Sequence, residues 1–265
     1  MKNPMKGKNI LVTRSTAQAK PMMERLRVME ANPVHIPLIT FQAIRSDEIK
    51  QGLETIEQFQ WLFFTSANGV RFFFDNLQHY GIVQRKLDTI KFAVIGEKTD
   101  QMLQLYGYQA SFFPSSYQAN SMGKQFVRFF GNDKRVLLVV GSKSTFEIQE
   151  VLQAEQVQTT ALVVYETVYE TAYQQRLNEL IQQDNLDVYT FTSPSTVVSF
   201  DNQTKDLETE MKQIKATRLC VCIGSTTKEA AQESGFQRVL TPKQFTTEKM
   251  IQTIFHHFLQ ESEGV

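Results

Sequence analysis

The clearest pattern in the chain is a short run of apolar and aromatic residues that breaks into small polar residues and then resumes at helical spacing. It occurs at 61–70, WLFFTSANGV, and again at 188–197, VYTFTSPSTV. Such a pattern predicts a strand, a tight loop and the start of a helix. A second motif follows each copy, AVIGEKT at 93–99 and VCIGSTT at 221–227.

The repeated motifs indicate an internal duplication. Phe64 and Phe191 lie 127 residues apart, and Gly96 and Gly224 lie 128 apart, so both motifs recur in the same order at nearly the same offset. Strand and helix patterns alternate through both copies. This predicts an α/β protein with two similar, flavodoxin-like parallel-sheet domains and helices on both faces of each sheet. By spacing alone, the two copies follow each other in series.

Weaker apolar patterns predict further elements. The run 33–41 contains Pro37, and it is predicted to be an edge strand or a connector because proline cannot donate to a sheet. A helix is predicted from about 47 to 58, and a strand is predicted to end at Phe113 and Pro114. A later helix is predicted to include Phe146 among its apolar positions.

Composition narrows the class of protein. The 265 residues, of which 42% are hydrophobic and 21% charged, suit a globular protein of two domains. Lys plus Arg and Asp plus Glu both total 28, so no general basic field favours nucleic acid. The first apolar run, Ile10–Val12, is too short for an export signal or a membrane span. We therefore expect a cytoplasmic protein that binds neither nucleic acid nor membrane.

The cysteines and histidines do not indicate a metal or a disulfide. Cys220 and Cys222 lie two residues apart on one predicted strand, where buried free thiols are expected. The four histidines have no metal-ligand spacing with each other or with the cysteines. We expect no metal.

Four loops at predicted strand ends are candidates for binding an anion. In an open parallel sheet, ligands bind beyond the carboxyl ends of the strands, where helix N-termini offer free N–H groups and a positive dipole. The same residues could simply cap helices, since Ser, Thr and Asn are common N-caps. The candidate residues are Ser66, Ala67, Asn68, Gly96, Thr99, Ser193, Pro194, Ser195, Gly224 and Thr227.

Three further side chains could add charge or a proton to such a site. Arg14 and Lys143 follow the first strands of the two copies, where each could bind an anion or lie in solvent. Tyr165 follows a long extended run, and a phenol is a neutral proton donor at pH 7, although ordinary strand packing would also suit it. The chain has no Gly-x-Ser-x-Gly elbow, Walker sequence or dinucleotide fingerprint.

The ordered set of motifs resembles the uroporphyrinogen-III synthase family over essentially the whole chain. No single segment is specific, but their order is. Ser15, Asp100 and Lys228 depart from the family, which often has proline after the arginine and alanine after the two threonines. The resemblance is carried by LVTR at 11–14, PLI at 37–39, FTSANGV at 64–70, IGEKT at 95–99, VYET at 164–167, FTSPS at 191–195 and IGSTT at 223–227.

The resemblance implies that the two copies exchange segments. One domain would then hold residues 1–38 and 168–265, and the other would hold residues 39–167. The two crossings would form a two-stranded ladder that acts as a hinge, and the family binds its ligand in a cleft between the domains.

The resemblance also implies the reaction. The enzyme would be a lyase, acting on hydroxymethylbilane, a linear tetrapyrrole with eight carboxylates. The substrate loses its terminal hydroxyl as water, and its last ring is inverted through a spiro intermediate before the macrocycle closes. Tyr165 would protonate the departing hydroxyl, and Thr13, Ser66, Thr99, Ser193 and Thr227 would contact the substrate. No cofactor is implied. We expect a monomer that makes transient contact with the deaminase supplying the substrate.

Two other classes remain open. A non-catalytic two-domain protein could close on a small polyanion, although such binding proteins are usually exported and this chain begins without an export signal. A flavodoxin-like regulator would need a cofactor loop or an acidic pocket after its first strand, where this chain has Thr13 and Arg14. Neither class explains why both copies keep the same pairs of loops.

Overall fold

The computed structural model describes residues 3–114 and 119–263. Their backbone contacts divide the chain into two units, which we call unit 1 (Met1–Thr40 and Val168–Val265) and unit 2 (Phe41–Thr167). The predicted α/β fold with parallel sheets is confirmed. The domain boundaries expected at 38/39 and 167/168 stay a prediction. The outer ends expected at residues 1 and 265 lie outside the described residues.

The bounds of the strands and helices are as follows. The strands are β1 (Asn9–Val12), β2 (Asn32–His35), β3 (Ile39–Ala43), β4 (Trp61–Phe64), β5 (Lys91–Val94), β6 (Arg135–Gly141), β7 (Gln158–Tyr169), β8 (Val188–Phe191), β9 (Leu219–Cys222) and β10 (Arg238–Leu240). The helices are α1 (Thr16–Val28), α2 (Asp47–Glu54), α3 (Ala67–His79), α4 (Glu97–Leu105), α5 (Ala119–Phe130), α6 (Glu147–Ala154), α7 (Gln174–Gln182), α8 (Pro194–Thr204), α9 (Glu208–Thr217), α10 (Ser225–Glu233) and α11 (Thr247–Glu263). None of the helices in this described part of the chain is long and apolar enough to cross a membrane.

Unit 1 contains a parallel sheet with the strand order β10-β9-β8-β1-β2. Within it β1 lies between β8 and β2, so that Ile10 pairs with Val188 on one side and Pro33 on the other. The central strands are almost wholly apolar and buried, because helices cover both faces of a parallel sheet. Helices α7 to α10 pack on one face, and α1 and α11 pack on the other.

Unit 2 contains a sheet with the strand order β3-β7-β6-β4-β5, in which β7, β6, β4 and β5 are parallel. One face is covered by α2, α3 and α4, and the other by α5 and α6. Aromatic side chains fill much of this second layer. Trp61 of β4, for example, meets the ring of Phe126 edge to face with centroids 5.0 Å apart.

Four consecutive strands in each sheet have matching positions. In unit 2, β5, β4, β6 and β7 occupy the places that β9, β8, β1 and β2 occupy in unit 1. Because β1 pairs with β8, the serial arrangement read from spacing alone is wrong. The strand predicted to end at Phe113 and Pro114 is also absent. A single bridge joins Phe112 to Ala93 there, and Pro114 has no N–H with which to extend it.

The chain passes between the units through β3 and β7, which are neighbours in the sheet of unit 2. The N–H of Ile44 donates to the carbonyl of Val164 at 3.0 Å, and the N–H of Glu170 donates to the carbonyl of Leu38 at 3.0 Å. Residue numbers therefore increase along β3 as those of the paired residues decrease along β7, which is the pattern of an antiparallel pair. The predicted two-stranded ladder is therefore present.

A buried amide side chain in each unit holds one of these crossing segments. On α3, Nδ2 of Asn76 donates to the carbonyl of Val164 at 3.4 Å, and Oδ1 accepts from Arg45 at 2.6 Å. On α8, Nε2 of Gln203 donates to the carbonyl of Glu170 at 3.0 Å. Asn76 and Gln203 are 127 residues apart, so the duplication extends to these two amides.

Three weaker sequence predictions have different outcomes. The helix expected to reach residue 58 ends at Glu54, because a tighter 3-10 turn at Ile56–Gln58 buries Ile56 in the core. Phe146 precedes α6 and is 44% exposed, so it is not one of the core positions of that helix. The prediction for the run 33–41 is confirmed in that β2, which contains Pro33, is an edge strand.

The two cysteines are buried free thiols, as predicted. Cys220 and Cys222 lie on the same face of β9 with their Sγ atoms 3.8 Å apart. Burial raises the pKa of the Cys220 thiol well above its ordinary value, because the thiolate would lose its hydration. The thiol therefore behaves as a small apolar group.

We expect Gln203→Ala to lower the free energy of unfolding by about 1–3 kcal/mol, because it removes a buried amide that donates to the half-buried carbonyl of Glu170. Asn76→Ala should lower it by a similar amount through Val164. Urea denaturation followed by circular dichroism measures both. Asn202→Ala, an exposed neighbour on α8, is the control and should change stability by less than about 0.5 kcal/mol. Equal stability of all three variants would show that the amides do not hold the crossing strands.

Candidate functional site

The Tyr165 hydroxyl lies at the N-terminus of a helix. Tyr165 belongs to β7, and its Oη lies 3.2 Å from Oγ of Ser66, the N-cap residue of α3. Oγ of Ser66 also accepts the N–H of Gly69 at 3.0 Å. The serine hydroxyl keeps one lone pair and its own hydrogen, so it can accept a hydrogen bond from Tyr165 or donate one to it. The phenol therefore keeps a hydrogen-bond partner whether or not it carries its proton.

The ring of Tyr165 is clamped from three sides. Phe72 of α3 stacks on it with centroids 5.2 Å apart, and Phe41 of β3 meets it edge to face at 5.8 Å. On the third side lies Gly141, at a bulge where β6 shifts register against β7. A Cβ atom at Gly141 would lie 2.4 Å from Cζ and 2.7 Å from Oη of Tyr165. Only glycine leaves room for the phenol in this position.

Two of the four predicted loops are capped by serine. Ser66 caps α3, and Ser193 caps α8 through a hydrogen bond from the N–H of Thr196 at 3.3 Å. The side-chain oxygen of Thr196 in turn accepts a hydrogen bond from the N–H of Ser193, which completes a capping box. Helix capping is therefore one role of these serines. The neighbouring candidates are half-buried or exposed, and their substrate contacts stay a prediction: Ala67, Asn68, Pro194 and Ser195.

The other two loops are capped by glycine. Gly96 precedes α4 and Gly224 precedes α10, and no side chain caps either helix. Their first-turn N–H groups are consequently more available to an anion than those at the serine-capped helices. Thr99 and Thr227 lie in these first turns with buried side chains. Binding of substrate through them stays a prediction.

The two glycine-capped helices differ in their electrostatics. The first turn of α4 carries Glu97 and Asp100, whose carboxylates repel an anion, whereas the first turn of α10 carries no acidic residue. Phe245, 62% exposed, lies against Gly224, where an added Cβ would be 3.3 Å from its ring. The loop at Gly224 is therefore the better anion site of the two.

Arg14 is a half-buried cation for which the described residues provide no counter-ion. Its Nη2 donates to Gln18 at 2.9 Å, and its buried Nε has no hydrogen-bond partner. Burial lowers the pKa of Arg14 below its ordinary value. The ion pairs among residues 3–114 and 119–263 do not include it. The carbonyl of Arg14 accepts from Nε2 of His35 at 2.9 Å, which fixes the loop.

The other two candidates from the first strands have less suitable positions. The side chain of Thr13 is fully buried, and its hydroxyl donates to the carbonyl of Thr190 at 2.7 Å. This hydrogen bond connects β1 to β8. A hydroxyl contact from Thr13 to a ligand does not fit this geometry, whereas a backbone contact stays a prediction. Lys143 is exposed in the turn after β6. Its predicted contact with substrate also stays a prediction.

Sequence reasoning brought Ser66 and Tyr165 forward separately, and the structure joins them through one hydrogen bond. It missed Gly141, Phe72 and Phe41, which set the position of the phenol. Gly141 directly follows the apolar run 136–140. A glycine at the end of a strand can indicate a bulge or the close approach of another group, and this was a signal in the sequence. No local pattern distinguishes the two phenylalanines, because their contacts with β7 are distant in sequence.

Comparison with known proteins identifies relatives over most of the chain. A family model described as uroporphyrinogen-III synthase HemD matches residues 20–252. The porphyrin biosynthesis protein HemD of Ruminiclostridium josui is 29% identical over 252 residues, which cover 95% of this chain and 49% of that protein. The uroporphyrinogen-III synthase of Chlorobaculum parvum is 27% identical over 240 residues, which cover 90% of this chain and 94% of that protein. The chain thus spans about half the length of the first relative.

A solved structure has the same fold. The uroporphyrinogen-III synthetase of Helicobacter pylori superposes with a TM-score of 0.65 at 18% identity, covering 95% of this chain and 99% of that one. At this identity the similarity concerns the fold alone.

We expect Gly141→Ala to displace the Tyr165 hydroxyl from Ser66 and to cost about 1–3 kcal/mol of stability, because the new methyl group overlaps the phenol. A crystal structure and urea denaturation of the variant measure the two effects. The control is a double-mutant cycle with Tyr165→Ala, in which the same glycine substitution should cost much less because the ring is gone. An undisturbed Tyr165 in Gly141→Ala would contradict the positioning role of the glycine.

Proposed function

The chain belongs to the uroporphyrinogen-III synthase family, and we propose that it catalyses that family's reaction, the closure of hydroxymethylbilane to uroporphyrinogen III. The observation that carries the proposal is the phenol of Tyr165, held beside the N-terminus of α3 by Ser66 and Gly141. It supplies the one chemical group the reaction needs, a weak acid.

The chemistry needs little more than this. A proton joins the terminal hydroxyl, the carbon–oxygen bond breaks, and water leaves a cationic methylene carbon on the chain. The last ring attacks this carbon internally, passes through a spiro intermediate and is inverted before the macrocycle closes. The net change is loss of one water, so the enzyme is a hydro-lyase and the step requires no oxidant or reductant.

In this mechanism Tyr165 donates the proton to the departing hydroxyl. Ser66 holds the phenol from the other side by a hydrogen bond. The last ring loses one proton as the macrocycle closes, and this proton restores the phenol. The clamp of Phe72, Phe41 and Gly141 keeps the phenol from turning away. A fixed donor avoids the entropy cost of bringing the acid to the leaving group.

Binding of the eight carboxylates is the second requirement. Arg14 offers a half-buried cation with no carboxylate partner among the described residues, and the open N–H groups after Gly224 offer a helix N-terminus without acidic neighbours. We assign weaker contacts to Gly96, Thr99, Thr227, Lys143 and the serine-capped loops. These contacts would select one folded shape of a flexible chain, because unassisted closure gives the isomer without the inverted ring.

The cellular setting is proposed by extension from the family. The substrate is labile, so transfer from the deaminase that makes it would be favoured by transient contact between the two enzymes. We propose that both act in the cytoplasm and that this enzyme works as a monomer. Sedimentation of the purified protein tests the monomer, and sedimentation with the deaminase tests the contact between the two enzymes. A stable dimer would contradict the monomer.

Product analysis tests the proposed activity. Purified protein is given freshly generated hydroxymethylbilane, the products are oxidised, and the type I and type III uroporphyrin isomers are separated. A dominant type III isomer that disappears when the protein is heated supports the proposal. Type I alone, at the rate of the protein-free control, would overturn it and favour a non-catalytic protein that binds a polyanion.

We expect Tyr165→Phe to lower kcat by roughly tenfold to a hundredfold, with KM changed much less, because the variant keeps the ring and loses only the proton donor. Initial rates of uroporphyrinogen formation measure the effect. Tyr173→Phe, a partly exposed tyrosine just before α7, is the matched control and should keep full activity. Full turnover by Tyr165→Phe would remove this residue from the mechanism.

Arg14→Gln should raise KM about tenfold without lowering Tm, because a charge-assisted hydrogen bond to substrate is lost. The stability part follows from the sign of the pKa shift. Burial lowers the pKa of Arg14, so the folded protein disfavours the charged form, and removing that charge costs the free protein no stability. Arg27→Gln, an exposed substitution on α1, is the control. A lower Tm with unchanged KM would mean that Arg14 is structural.

A further inference from the structure

Unit 2 contains a cavity that the proposed reaction does not use. It has a volume of about 560 Å³ and lies beside α3, with Phe41 and Phe72 in its wall. The volume falls within the usual range of about 300–1,000 Å³ for small-molecule sites. Tyr165 and Ser66 do not line it, although Phe41 and Phe72 contact the ring of Tyr165.

The apolar part of the wall consists mainly of flat aromatic rings. Phe74 and Tyr106 stack on each other with centroids 4.1 Å apart and an interplanar angle of 8°. With Phe41 and Phe72 they give the cavity four aromatic side chains. Burial raises the pKa of Tyr106, so its phenol remains a neutral hydrogen-bond donor. Such walls suit a planar aromatic ligand, which can stack or meet them edge to face.

The charged part of the wall consists of one cation, Arg71, and one carboxylate, Asp75. Asp75 is neutralised from outside the cavity by Arg45, whose Nη2 lies 2.6 Å from its carboxylate. Arg71 lies over the ring of Phe72 at 4.3 Å, and its buried Nε has no hydrogen-bond partner. Within the part of the chain that the structure describes, Arg71 belongs to no ion pair. Counted together with Arg45, the charged side chains at and beside this wall sum to one positive charge, next to aromatic surfaces.

We propose that this cavity binds a planar aromatic carboxylate, with the carboxylate on Arg71 and the ring against Phe72, Phe74 and Tyr106. A guanidinium binds a carboxylate through two parallel hydrogen bonds, and the half-buried ring of Tyr106 with the ring edges in the wall contacts the aromatic part. The ligand is either one ring of the tetrapyrrole substrate or a separate aromatic acid. The two sources share the same chemistry.

Occupancy of the cavity acts on the catalytic phenol. Phe72 and Phe41 provide two of the three contacts that clamp Tyr165, so a ligand that moves either ring disturbs the clamp. Binding therefore changes the rate of the reaction as well as occupying the cavity. This consequence, unlike the binding itself, rests on the proposed function.

Titration with pyrrole-2-carboxylate tests the binding without any assay of activity. Calorimetry gives the Kd, and the ¹⁵N-resolved Nε–H signal of Arg71 reports the position. We expect a shift of that signal in the wild type and a Kd raised at least about tenfold by Arg71→Gln, as loss of a charge-assisted pair requires. Arg85→Gln, which changes an exposed arginine outside the cavity, should leave the Kd unchanged.

A ligand-side control keeps the test independent of how Arg71→Gln folds. Pyrrole-2-carboxamide has the same ring without the charge, and it should bind wild-type protein at least about tenfold more weakly. No binding of pyrrole-2-carboxylate to the wild type, or equal binding of the acid and the amide, would overturn the proposal.

A competition experiment then separates the two sources. Uroporphyrinogen III is added to protein already occupied by pyrrole-2-carboxylate. Displacement of the probe supports a cavity that takes a ring of the tetrapyrrole, and simultaneous binding supports a separate aromatic acid. Either result agrees with a carboxylate site on Arg71, and neither depends on whether the protein turns over hydroxymethylbilane.

Discussion

The antiparallel pair of β3 and β7 is the constraint on which the rest of the structure depends. The chain crosses between the units twice through these strands, so unit 1 must assemble from two segments far apart in sequence. The crossing is held by buried polar contacts as well as by the ladder. Asn76 holds the carbonyl of Val164, the residue before Tyr165, and Gln203 holds that of Glu170. The contacts that fix the crossing strand thus also fix the register of the phenol.

The two units contain features that cost stability and features that restore it. Among the residues that the structure describes, Arg14 is half-buried without a carboxylate partner, and so is Arg71 in the wall of the cavity. Each guanidinium loses hydration that no described carboxylate replaces. The bulge at Gly141 interrupts the ladder to admit a large ring. Stacked aromatic side chains and the fully apolar central strands offset these costs. Such a balance is common where a protein must leave charges available for an anionic ligand.

The sequence predicted those parts of the fold that depend on local pattern and on the repeat offset. The strand and loop motifs around Phe64 and Phe191 have the predicted structure, and the offset of 127 extends to the buried amides at Asn76 and Gln203. The pairing of β1 with β8 could not be read from spacing, because spacing does not specify which strands pair. The resemblance to a family supplied it instead.

The candidate site was predicted less completely for the same reason. Ser66 and Tyr165 were both identified, but their contact spans 99 residues and depends on where α3 begins against β7. The clearance at Gly141 and the commitment of the Thr13 hydroxyl to Thr190 depend on side-chain packing, which no local pattern contains.

The central claim is that the protein separates two tasks, with Tyr165 supplying a proton and the anion-binding loops imposing one substrate shape. The measurement that tests it most directly is the fraction of type III isomer formed in a single turnover with excess Tyr165→Phe enzyme. The account predicts slow closure in which the type III isomer still dominates, because the loops are intact. A type III fraction that falls in proportion to the rate would contradict it, since ring inversion would then depend on the phenol itself.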